Sequence, residues 1–158
     1  MKYRQLDKII AIEPGKRITA ERTLRAEEEC LLDHFPRFPV MPGVMMLEAL
    51  YQAAIWMIRT GDDFQYPLVL LREARSVKFG DFLAPGETLQ IRAESIKTDG
   101  LLTTVKASAT KQGRTTVSAR LLLERCSCND PERLQTDQDV RQRAKKQFQE
   151  LFGPLLST

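Results

Sequence analysis

The chain holds one histidine, His34, and between it and Arg59 the sole acidic residue is Glu48. A neutral imidazole can take a proton near neutral pH. A carboxyl set among apolar side chains has its charged form desolvated, which favours the protonated acid. A base and an acid on either side of a substrate suit removal of a proton from one carbon and of hydroxide from the next. Between them stands Pro42-Gly43, a helix start whose unpaired N–H groups and positive dipole end can polarise a carbonyl oxygen. Together these parts describe elimination of water from a 3-hydroxyacyl compound. Taken singly, each has a plainer reading. His34 packs or caps, Glu48 shares a solvent-facing line with Gln52 and Arg59, and Gly43 serves only the turn.

The elements that must position these residues follow from periodicity. Residues 43 to 59 are apolar on nearly every face, which predicts a long buried helix. Pro42 suits its first position and Gly61 its C-terminal cap. After residue 66 the pattern is that of strands, over 67–79, 87–97, 101–111 and 114–124. Asp99-Gly100 and Gln112-Gly113 mark two hairpins between them, and "APGE" (84 to 87) marks another turn. Without repeated βαβ crossovers the sheet is antiparallel. One buried helix and a run of hairpins mean an α+β domain with the sheet wrapped around the helix. Nearer the N-terminus, residues 3–10 suit a short helix with Leu6, Ile9 and Ile10 on one face. "EPGK" (13 to 16) then turns into "RITAERTL", whose imperfect alternation of Ile18, Ala20 and Leu24 suits an edge strand. From residue 126, Asp130-Pro131 begins a C-terminal amphipathic helix carrying Val140, Ala144, Phe148, Leu151 and Leu155, which Gly153-Pro154 stops.

The totals bound the class. With 158 residues, 42% hydrophobic and 28% charged, the chain suits one folded domain. A net charge of +3, with no basic run interleaved with aromatics, argues against nucleic acid as partner. "MKYRQLDKII" lacks a long apolar stretch and no run is long enough for a membrane span. Three cysteines make no disulfide framework, so a reducing, cytoplasmic setting is expected. Cys126-x-Cys128 stands far from the single histidine and is not read as a metal site.

From His34 the chain reads "HFP", "PVMPGV", "EAL" and then Gln52, without gaps. This segment closely resembles the catalytic segment of the (3R)-hydroxyacyl-[acyl carrier protein] dehydratases, of the type with a glutamate acid. "VKFGDFLAPGETL" (77 to 89) is similar to the family's later strand and Pro-Gly turn. The resemblance covers residues 5–125 and implies a hot-dog fold, with an antiparallel sheet around a long central helix. It also implies that His34 and Glu48 are the catalytic pair, that Gly43 and Val44 bind the thioester carbonyl, and that no metal or organic cofactor takes part. The implied substrate arrives on the phosphopantetheine arm of acyl carrier protein. The implied assembly is a homodimer, or a trimer of dimers, in which different subunits supply the histidine and the acid to each site.

The expected division is a dehydratase domain over 1–125 and a helical extension over 126–158, on or beside it. Two positions depart from the family: Asp33 and Arg37 stand where glycine is usual. Two other readings remain open at this point. One is a dehydratase that also isomerises, though that relative typically has aspartate at the acid position. The other is a non-catalytic binder of acyl thioesters.

Overall fold

The computed structural model describes residues 5–28, 40–66 and 68–127 in full, and a helix over 134–156 with side chains for 139–151. The elements run β1 (Lys8–Glu13), β2 (Arg17–Thr23), α1 (Gly43–Gly61), β3 (Leu68–Phe79), β4 (Thr88–Asp99), β5 (Leu102–Lys111), β6 (Arg114–Cys126) and α2 (Leu134–Leu156). Among the described residues six strands form one sheet in the order β1-β2-β4-β5-β6-β3, with every neighbouring pair antiparallel. This is the α+β, hot-dog arrangement expected from the sequence: α1 packs against strands β2 to β6 along one face of the sheet.

Alternation explains that face. Leu89, Ile91 and Ala93 of β4 point inward, as do Val105, Ala107 and Ala109 of β5 and Val117, Ala119, Leu121 and Leu123 of β6. Ala93 pairs with Ala107, which pairs with Ala119. This row of three small side chains leaves room for a helix whose own inner face carries Ala49, Ala53 and Ala54, all buried. The β5–β6 hairpin turns at Gln112-Gly113, both in the left-handed region, between the paired residues Lys111 and Arg114. Two such residues match the twist of the flanking strands.

Several expectations need correction. Residues from Lys8 onward form a strand, not a helix. The spacing of Leu6, Ile9 and Ile10 fits a helix face, but Leu6 and Ile9 are buried and Ile10 is only half-buried. Backbone pairing with β2 decides the matter. Consequently β2 is an inner strand between β1 and β4, and the sheet edges are β1 and β3.

Pro42 is the N-cap of α1, not its first helical residue, and Asp62 rather than Gly61 is the C-cap. The left-handed reversal falls to Asp63 and Phe64 (φ 54° and 60°), with the Phe64 N–H donating to the Arg59 carbonyl at 2.7 Å. Gly61 serves close approach instead: a Cβ there would stand 2.6 Å from the Cα of Gly15 in the β1–β2 turn. The Gly15 N–H donates to the Met57 carbonyl at 2.9 Å across this contact.

α2 continues through Gly153-Pro154 to Leu156. Pro154 deletes one N–H donor, and the helix ends two residues later, at Leu156. Ala144, Phe148 and Leu151 are buried, and the Phe148 ring meets Trp56 of α1 and Phe64 at centroid distances of 6.1 and 5.9 Å. Arg143, Lys145 and Lys146 lie on the exposed side. The expected N-cap at Asp130 lies outside the described residues.

Candidate functional site

The N-terminus of α1 is fixed from two sides. The Met41 N–H donates to the Leu83 carbonyl at 2.8 Å, and both side chains are buried. Leu83 belongs to the segment after β3, which is pinned in turn. The Gly80 N–H donates to Thr116 at 2.8 Å, and Lys111 pairs with Glu87 at 3.1 Å. A Cβ on Gly43 would stand 2.9 Å from the Phe79 ring, so glycine lets the helix start lie against that ring.

Pro42 offers no side-chain cap and the first turn holds no acidic residue. The first N–H bonded within the turn is that of Met45, to the Pro42 carbonyl at 2.9 Å. Gly43 and Val44 precede it, where helical geometry supplies no partner and the dipole is positive. The Val44 side chain is 68% exposed. This end of the helix therefore faces outward with donors available to a carbonyl oxygen.

One turn on, Glu48 is half-buried. Gln52 Nε2 donates to Glu48 Oε1 at 3.2 Å, and Gln52 Oε1 accepts the Gln5 N–H at 2.8 Å. A backbone N–H can only donate, so this bond fixes which way the amide points and leaves its NH₂ toward the carboxyl. Beside them the Tyr51 hydroxyl donates to the Val69 carbonyl of β3. Burial, and next the charge of Glu48, push the Tyr51 phenol above its usual range.

The structure thus brings together three of the four residues expected from the sequence: Gly43, Val44 and Glu48 lie within the first turns of one helix. His34, and with it Asp33 and Arg37, lies outside the described residues. Reading the sequence missed Gln5, Tyr51 and Arg22. A signal for the last was present, since Arg22 is the residue that breaks the alternation of Ile18, Ala20 and Leu24. In the structure it lies on the inward face of β2, 3% exposed.

Comparison with known proteins fits this geometry. Residues 1–120 match the model of the FabA-like domain. The chain belongs to the FabA-like family. Among members of related sequence, it is 34% identical over 109 residues to the 3-hydroxyacyl-[acyl-carrier-protein] dehydratase FabZ of Ruminiclostridium cellulolyticum, covering 69% of this chain and 77% of that protein. It is also 34% identical over 116 residues to the FabZ of Levilactobacillus brevis, covering 73% and 78%. The FabZ resemblance expected from the His34-to-Gln52 segment is therefore borne out.

Solved structures agree on the hot-dog fold. The dehydratase heterocomplex ApeI:P of Xenorhabdus doucetiae superimposes with a TM-score of 0.69 at 17% identity, over 84% of this chain and 90% of that one. The PaaI protein of E. coli, from the phenylacetic acid degradation operon, gives 0.61 at 14% identity, over 75% and 82%. At such identities these two establish the fold alone.

Proposed function

We propose that this protein removes water from (3R)-3-hydroxyacyl-[acyl carrier protein] to give the trans-2-enoyl thioester, with His34 as base and Glu48 as acid. The imidazole takes the proton from C2, and the C2–H electron pair becomes the C2=C3 double bond. The C3–O bond breaks as the Glu48 carboxyl gives its proton to the departing hydroxyl, which leaves as water. The N–H groups of Gly43 and Val44 stabilise negative charge on the thioester oxygen while C2 loses its proton. Transfer of the imidazolium proton to the Glu48 carboxylate through solvent restores both groups.

The observation that carries this reading is the placement of Glu48. A carboxyl held by an amide stands one turn from an uncapped helix N-terminus, in a chain whose family includes the FabZ dehydratases. Glutamate at this position also favours dehydration alone over dehydration with isomerisation.

The reading includes a homodimer, or a trimer of dimers, with each site drawing His34 from one subunit and Glu48 from the other. Support comes from β3, which among the described residues is an edge strand paired on one side only, to β6, and exposed over most of its length. Leu70, Leu71, Phe79 and Phe82 are exposed along it or just after it, and so is Val44, next to the Gly43 that lies against the Phe79 ring. A long bare edge with apolar side chains is a surface for another chain. The reading also includes a cytoplasmic setting, which rests on three cysteines that make no disulfide framework. Among the described residues, no helix is long and apolar enough to cross a membrane.

The test is incubation with (3R)-3-hydroxyacyl-[acyl carrier protein] of several chain lengths, followed by mass spectrometry of the carrier. Loss of one water with the thioester intact is the expected result. An unchanged substrate, or a hydrolysed thioester, would contradict the proposal.

A further inference from the structure

Arg22 lies at the end of a polar chain that begins at Glu48. Its guanidinium meets the Glu28 carboxylate with two nitrogens, Nη1 to Oε2 at 2.9 Å and Nη2 to Oε1. Nη1 also donates to the Thr23 carbonyl at 2.6 Å. On its other side, Nε and Nη2 both reach Gln5 Oε1, at 3.4 Å each. Gln5 is itself buried, and its N–H holds Gln52, which holds Glu48. A charge buried on the core face of β2 is costly unless it is paired and hydrogen-bonded. Here the pairing leads, bond by bond, to the side chain assigned as the acid.

We infer that Arg22 is a positioning residue for the dehydration: through Gln5 and Gln52 it holds the Glu48 carboxyl in the orientation that meets the substrate hydroxyl. This rests on the function proposed above. The planar guanidinium can grip Glu28 and Gln5 at once because its donors diverge in a fixed fork. With Gln5 gripped, its N–H presents one direction to Gln52. The amide then has a single arrangement, and Glu48 has a fixed neighbour. Glu28 anchors the fork from a position six residues before His34 in sequence.

A double-mutant cycle on kcat tests this. Arg22→Met should lower kcat about 10-fold, as expected for a misplaced reacting group, while KM changes less than about 2-fold. In a Gln52→Met background, adding Arg22→Met should lower kcat no further, because the route is already cut. Gln5→Met cuts the same route and leaves the Arg22–Glu28 ion pair in place, so it decides the question if Arg22→Met does not fold. Full kcat in folded Arg22→Met or Gln5→Met, or losses that multiply in the double variant, would overturn the inference. If the unaltered protein turns over no 3-hydroxyacyl thioester, the functional reading fails. The geometry is then judged by the ¹⁵N resonance of the Gln52 side-chain amide. A shift of that resonance in Gln5→Met, with the remaining amide spectrum retained, supports the hold on Gln52, and an unmoved resonance overturns it.

Discussion

The two halves of α1 differ in what they touch. Towards its N-terminus, Val44, Glu48 and Gln52 form a line that is exposed or half-buried, ending in a polar chain of amides and a guanidinium. Towards its C-terminus, Ala53, Ala54, Trp56, Met57 and Ile58 are all buried, with the helix end seated on Gly15 and Phe148 of α2 against Trp56. The difference separates two tasks within one rigid element. Packing at the far end fixes the helix axis, so that the near end can present a carboxyl and backbone donors without moving.

Substitutions in the two halves should therefore fail in different ways. The largest effect is expected from Glu48→Gln, which keeps shape and removes the acid. It should lower kcat by about 10²-fold or more with the melting temperature unchanged, as measured by steady-state kinetics beside thermal denaturation. A comparable loss of stability instead would move Glu48 into the structural half. In the other half, Met57→Ala should cost roughly 2–5 kcal/mol in urea unfolding, with kcat per folded protomer retained. A large loss of kcat there would break the separation.

A smaller effect, confined to acid, is expected at the outer end of the polar chain. Burial raises the Glu28 pKa, but the hydrogen bond from Arg22, the Arg25 N–H and the two arginine charges outweigh it and leave it lowered overall. A carboxyl with a folded pKa below its unfolded value contributes stability that is complete above the unfolded value, 4.5, and is lost as pH falls through the folded one. Glu28→Gln should thus destabilise by roughly 2 kcal/mol at neutral pH. The gap from the unaltered protein should narrow steadily as pH drops below the unfolded value. A gap independent of pH would mean that the Arg22–Glu28 charge pairing is not its source.

The same division governs what the sequence made legible. The helix over 43–59 and the two hairpins were readable because periodicity and turn chemistry are local; that helix gave Gly43 and Glu48 their places, while Val44 and the roles of all three came only from the family resemblance. Lys8–Glu13 was misread because Leu6, Ile9 and Ile10 satisfy a helical spacing, while the partner that makes them a strand, β2, is fixed only by pairing. Gly61 was read as a left-handed cap, yet its need for hydrogen in place of a side chain comes from Gly15, 46 positions earlier. Arg22 looked like a flaw in an edge strand. Its partners Gln5 and Glu28 are near in sequence, but only the placement of β2 inside the sheet turns them inward. Local pattern identifies a residue's element, and long-range pairing decides what that residue touches.

The central claim is that His34 and Glu48 act on one substrate in a site shared between two copies of the chain. Mixing His34→Ala with Glu48→Gln under conditions that exchange subunits tests it most directly, with dehydration of (3R)-3-hydroxyacyl-[acyl carrier protein] as the readout. Each variant alone should be inactive. In a mixed dimer one site receives both intact residues and the other neither, so random mixing in equal amounts should restore about a quarter of the original sites. Activity rising to that level as heterodimers form is the result this account predicts. No recovery in demonstrated heterodimers would contradict it and would put both residues of each site in one chain.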